Sequence, residues 1–197
     1  RLLFRSQPAG SYPARDAHEG VVVAAEPFDT PAETRAAFGK LDLRRAGFLP
    51  VLLVITNDSQ KAIRLDNMAI QLLTRDRQKI EPTPADLVVR RLRGTVDYSR
   101  DPVPSPVPRF PRGRKPDLGK GIEVQVHEFN LRMVPPRSTA SGFFYFEVGE
   151  RDWITGSRLY LTGLVWANDF QPLMFFEVNL DDSVGSQVPG PTSQKPG

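Results

Sequence analysis

The chain has 197 residues, 25% of them charged, with a formal net charge of +3, 19 Pro, 15 Gly and no Cys. The missing Cys excludes disulfide staples, thiolate metal ligands and Cys nucleophiles. The length suffices for one core that removes on the order of 70% of the unfolded surface from water, and no apolar run approaches the roughly 20 residues that carry a helix across a bilayer.

Residues 1–19 mix Pro, Gly, Ser and charge without periodicity, which predicts an extended N-terminal arm. The start at Arg1 fits either a cleaved signal peptide or a truncated N-terminus. Order is expected from Gly20 onward. Val21, Val22, Val23, Ala24 and Ala25 form a β-branched run closed by Pro27, the pattern of a first strand. Thr30, Pro31 and Glu33 then supply a capping hydroxyl, a Pro at the first helical position and a carboxylate three residues after the cap. They predict a short helix to Phe38, stopped by Gly39. Thr83, Pro84 and Asp86 repeat that grammar before Leu87, Val88, Arg91 and Leu92, predicting a second short helix that stops at Gly94.

Between these helices, residues 48–56 (FLPVLLVIT) are apolar on both faces, as a central strand covered on both sides requires. Asn57, Asp58, Ser59 and Gln60 predict a turn. The next strand is expected over 65–74, with Met68, Ile70 and Leu72 on one face, before a polar turn at 75–78 and a brief pairing at Lys79 and Ile80. Residues 122–127 (IEVQVH) alternate and predict a half-buried strand. From His127 to Met133 the spacing fits either a helical turn or a strand entered through a bulge. Three further strands are expected over 142–148, 158–166 and 172–180. About seven strands thus fall in one mostly β domain, residues 20–180, interrupted by an insertion at 94–121 and followed by a flexible tail at 181–197.

The strand grammar has a counterpart. Residues 49–73 (LPVLLVITNDSQKAIRLDNMAIQLL) and 133–148 (MVPPRSTASGFFYFEV) resemble exported bacterial immunoglobulin-like domains, telokin-like and lipoprotein-associated ones among them. In that group a strand ending in an Asn-containing turn leads into the next core strand, and a later Pro and small-polar turn introduces a Gly followed by aromatics. The resemblance covers about half the chain. It implies an immunoglobulin-like antiparallel β-sandwich and an extracytoplasmic setting in the periplasm or cell envelope, with envelope, adhesive or assembly roles. The two short helices and the 94–121 insertion depart from the compact form.

Charge is unevenly placed. Arg90, Arg91, Arg93, Arg100, Arg109, Arg112, Arg114, Lys115 and Lys120 stand against Asp97, Asp101 and Asp117, so residues 90–120 carry about +6 and the remainder about −3. Within that segment, residues 101–116 hold six Pro, which favours a polyproline II conformation that loses little entropy on docking. Arg100, Pro104, Pro106, Pro108, Arg109, Phe110, Arg112, Arg114 and Lys115 are the candidate partner-binding residues, weighed against a loop that is merely solvated by its charge. A second candidate is an exposed aromatic patch of Phe143, Tyr145 and Trp153, since a strand whose aromatics alternate cannot turn all of them to one core.

Catalytic sets are not visible. His18 and His127 are the only His residues and neither lies in a metal-ligand motif; His18 reads as a solvated arm residue and His127 as a strand-surface residue. No nucleophile elbow or phosphate-cradling loop is found, and acid pairs such as Glu147 with Glu150 are common in any surface. No metal, cofactor or catalytic residue is assigned.

The expected function is a non-enzymatic binding or assembly subunit of the bacterial cell envelope, contacting protein partners through extended arms. Deleting residues 100–117 is then expected to abolish co-purification with a partner while leaving the thermal transition nearly unchanged; unimpaired co-purification would refute it. An alternative is a peripheral module whose basic arm binds an anionic phospholipid surface, salt-sensitively. Nucleic acid is disfavoured, because Phe110 alone does not make a stacking platform. A third reading, a glycan-binding or glycan-active domain, rests on Trp153, Trp166, Tyr145 and scattered acids.

Overall fold

The structure is a computed structural model that describes residues 6–94, 121–149 and 153–184. Among the described residues it is mostly β, with twelve strands and four short α-helices. The strands are β1 (Arg15–His18), β2 (Val21–Pro27), β3 (Phe48–Asn57), β4 (Ile63–Arg64), β5 (Ala69–Leu73), β6 (Lys79–Ile80), β7 (Pro82–Thr83), β8 (Met133–Val134), β9 (Ser138–Glu147), β10 (Arg158–Thr162), β11 (Val165–Trp166) and β12 (Phe176–Asn179). The helices are α1 (Pro31–Phe38), α2 (Ala85–Gly94), α3 (Ile122–His127) and α4 (Asp181–Val184). All strand pairings are antiparallel, in sheets ordered β1-β2-β3-β9-β7, β12-β10-β5-β6 and β11-β4-β8.

The count of twelve rather than seven has local causes. The strand expected over 65–74 begins only at Ala69, because Met68 N–H donates to the Leu65 carbonyl (3.0 Å) and closes a turn ahead of it. The strand expected over 158–166 is interrupted at Gly163, whose φ of +81° is left-handed.

The both-faces-apolar signal of β3 is realised through its period of two. Leu49, Val51, Leu53 and Ile55 join Val21, Val23 and Ala25 of β2 and Ala140 and Phe146 of β9 in one core, shared with Ile70, Leu72, Leu159, Leu161, Phe176 and Val178 of the facing sheet. The alternate residues Phe48, Leu52 and Val54, with Ala24, Phe143 and Tyr145, face a second core built with Phe38 of α1, Val88 of α2 and Val124 of α3. Two covers, a sheet on one side and three helices on the other, explain why β3 is buried along all ten residues.

The helix starts differ from one another. At α1 the capping box forms as the sequence predicts: Thr30 Oγ1 accepts from Glu33 N–H (3.3 Å) and Glu33 Oε2 accepts from Thr30 N–H (2.9 Å). At α2 it does not. Thr83 is instead paired with Tyr145 in β7, and the Ala85 N–H donates to Glu128 Oε1 (2.8 Å), a carboxylate distant in sequence.

Residues 122–127, expected as a strand, form α3. Gly121, with φ +93°, precedes it and its carbonyl accepts from Val124 N–H (3.1 Å). The outer edge of β9 is taken by β7 at Tyr145 and Phe146 and by a bridge from Glu128 to Phe143. In the helix only Val124 of the three alternating apolar residues is buried, while Ile122 and Val126 are exposed.

Residues 9–19, expected in a free arm, are part of the fold. Ala9 and Ala14 are fully buried, and the Ala9 N–H donates to Thr56 Oγ1 (2.8 Å). Strand β1 then stitches the first sheet to the second through side chains: Asp16 accepts from Glu177 N–H (3.0 Å), Glu19 accepts from Met174 N–H (2.9 Å) and His18 Nε2 meets the Phe175 carbonyl (3.0 Å). His18 also stacks on Phe176, with ring centroids 3.9 Å apart, so it is a packed corner residue rather than a solvated one.

Candidate functional site: an exposed apolar loop

The strand expected over 172–180 is ordered as a strand only at β12. The preceding residues leave β11 in a loop whose main chain is well pinned. Phe170 N–H donates to the Trp166 carbonyl (3.0 Å), Trp166 N–H to the Gln171 carbonyl (2.9 Å) and Leu173 N–H to the Leu164 carbonyl (2.9 Å), and Leu173 is buried as the loop's anchor. From this frame three large apolar residues project outward: Phe170 is 62% exposed, Met174 58% and Phe175 45%.

Phe170 has φ +57°. A bulky residue held in the left-handed region costs on the order of 1–2 kcal/mol, and a conformation of that kind persists only where the surroundings impose it. Its ring has one neighbour of note, the Arg64 guanidinium 5.2 Å from the centroid. Phe175 lies against Tyr160 of β10 (4.9 Å), and Lys61 stands 5.7 Å over the Trp166 ring. Both cations are already paired, Arg64 with Asp66 (2.6 Å) and Lys61 with Asp169 (3.6 Å), so the surroundings of the loop carry no local excess of positive charge.

The aromatic residues nominated from sequence are placed elsewhere. Phe143 and Tyr145 do turn to the face of β9 opposite Phe146, but they are 1% and 0% exposed, covered by α1, α2 and α3. The Tyr145 hydroxyl donates to the Val124 carbonyl (2.7 Å) and so ties α3 down. Burial raises the Tyr145 phenol far above its ordinary pKa, and the nearby Glu128 carboxylate adds to the rise. Trp153 is half-buried against the main core. Trp166 is likewise half-buried there.

His127 sits on α3, not on a strand, edge-on to Phe38 (6.0 Å) and Phe143 (6.3 Å). Desolvation lowers its pKa, opposed by Glu123. Among the described residues no group of three or more His, Asp or Glu is placed to hold a metal ion, and no helix is long and apolar enough to cross a membrane. Arg100, Pro104, Pro106, Pro108, Arg109, Phe110, Arg112, Arg114 and Lys115 lie outside the described residues, as do 185–197 of the expected tail; residues 181–184 form α4.

No family model matches the chain, and no curated protein matches it. Among solved structures it is similar to a crystal structure of a functionally unknown protein from Listeria monocytogenes EGD-e. The identity is 12% and the TM-score 0.33, with 74% of this chain and 67% of that one covered.

Proposed function

We propose that the chain is a non-enzymatic binding or assembly module of the bacterial cell envelope, with a protein partner docking on the 170–175 loop. The scaffold we propose is of the immunoglobulin-like sandwich type; its support is the face-to-face burial between the sheet containing β3 and the sheet containing β10. The observation that carries the functional reading is Phe170, a large aromatic that is both mostly exposed and held at positive φ. In the isolated chain its ring gains only the Arg64 contact while its backbone costs energy, a combination typical of contact residues whose benefit is realised on binding. Pairing of Lys61 and Arg64 with carboxylates favours a protein surface over an anionic membrane.

Phe170→Gly separates binding from folding. Relief of about 1–2 kcal/mol of left-handed strain is set against about 0.5–1 kcal/mol of added unfolded-state entropy and about 0.5–1 kcal/mol from the lost Arg64 contact. The melting temperature is expected to stay within about 2 °C of wild type, while the amount of partner co-purifying from the native source falls at least tenfold. Undiminished co-purification by folded Phe170→Gly protein refutes the reading.

A further inference from the structure

A concave surface lies at another place in the fold, where β7, an edge strand of the five-stranded sheet, runs into α2. It is an open cleft of about 480 Å³. Its apolar lining comes from Phe48, Pro82, Pro84 and Leu87, and its polar rim from Arg90, Arg91 and Glu147. Leu87 is 44% exposed, although it lies on the same helix as the fully buried Val88.

The two arginines differ. Arg91 donates from Nη1 to Glu147 Oε1 (2.6 Å) and its guanidinium carbon lies 5.9 Å from the Phe48 ring centroid, with further N–H groups to offer. Arg90 is exposed and has no hydrogen-bond or ion-pair partner among the described residues. The rim therefore has two guanidiniums against one carboxylate, beside an apolar floor.

We infer that this cleft docks an extended peptide segment of a partner protein in which a carboxylate side chain neighbours an apolar one. The carboxylate would meet Arg90 and the free donors of Arg91, and the apolar side chain would cover Leu87 and the two prolines. Small molecules are usually held in sites that enclose most of their surface, whereas an open cleft suits a chain passing across it. Recognition falls to side chains because β7 offers little ladder: it is two residues long and Pro82 has no N–H. Residues 95–120 of this chain are net basic, with six Lys and Arg against three Asp.

The inference is independent of the 170–175 loop, and its test keeps the two apart. The full chain is titrated against three fluorescein-labelled twelve-residue peptides, alternating Asp with Leu, Lys with Leu, and Asp with Ser, and read by anisotropy. Only the Asp-Leu peptide is expected to bind, weakening about tenfold in Arg90→Glu and in Leu87→Ser, both surface changes that leave folding intact. Glu147→Gln, which frees Arg91 from its partner, is expected to tighten the same peptide about threefold or more, an effect that damage to the fold would not produce. Phe170→Gly is expected to leave it unchanged.

Preferential binding of the Lys-Leu peptide overturns the inference, as does equal binding of Asp-Ser, which would mean charge alone. Failure of Asp-Leu to bind overturns it, and so does binding that survives Arg90→Glu or is lost in Phe170→Gly.

Discussion

Gly142→Ala is expected to lower stability by about 3 kcal/mol, and the melting temperature by about 6–12 °C for a chain of this size. The cause is a close crossing of main chains. A Cβ at position 142 would lie 2.5 Å from Phe129 Cα and 2.8 Å from Phe129 N, contacts with backbone that cannot rotate away. To admit the methyl group the 128–129 segment must lift, which strains the Phe129 N–H to Phe143 carbonyl bond (3.0 Å) and the stacking of Phe129 on Phe144 (5.5 Å). Glu128 moves with it, and its carboxylate is what satisfies the first N–H of α2. Hydrogen exchange should therefore show lost protection at the start of α2 as well as at Phe129. Gly10→Ala, where an added Cβ meets nothing within 4 Å, is the control and is expected to be neutral or slightly stabilising. A Gly142→Ala protein as stable as that control would mean the crossing is absent in solution.

How much of this was legible depends on how far away each residue's partner lies. The α1 start was readable because Thr30 and Glu33 satisfy one another within one turn. Strand β3 was readable because a run apolar on both faces has few other solutions. The α2 helix was readable but its cap was not, since Glu128 arrives from beyond the next helix. Residues 122–127 alternate like a strand, yet they form a helix whose Val124 packs into the layer over β9, a property of the assembled fold. Strand β1 hid because its side chains, Asp16 and His18, work as hydrogen-bond partners for another strand's backbone rather than as an apolar face.

The candidate surfaces were less legible than the core. Alternation along β9 correctly put Phe143 and Tyr145 on one face, but exposure of that face depended on three helices brought in from separate parts of the chain. Residues 172–175 of the loop fell within the strand expected over 172–180, and a hint against it was the run Leu173, Met174, Phe175, Phe176, which does not alternate. The cleft beside α2 involves residues singled out for helix formation and charge, with nothing in their order to bring Phe48 and Glu147 alongside. The Pro-rich basic segment, on which sequence placed the function, lies outside the described residues.

Phe143→Ala is the variant that decides whether β9 presents its aromatics to solvent or to the helical layer, and its expected cost is about 3–5 kcal/mol. The ring meets Phe28 at 4.9 Å and Phe38 at 4.9 Å, both edge-on, with His127 at 6.3 Å, so one side chain joins β9 to α1, α3 and the segment that follows β2. Each such aromatic pair contributes about 0.5–1.5 kcal/mol beyond area burial, and the cavity left by alanine adds to the loss because three separate elements would have to collapse into it. Tyr145→Phe keeps the ring and removes only the hydroxyl that holds the Val124 carbonyl, so about 1–3 kcal/mol is expected. Phe144, half-buried on the other face and stacked on Phe129, should cost less than Phe143 on truncation. A solvent-facing patch gives the opposite pattern, with Phe143→Ala within about 0.5 kcal/mol of wild type. Denaturant melts of the three variants rank them directly. Hydrogen exchange adds the location: if the helices are a docked layer over an intact sheet, Phe143→Ala should strip protection from α1 and α3 before the β3–β9 ladder loses any.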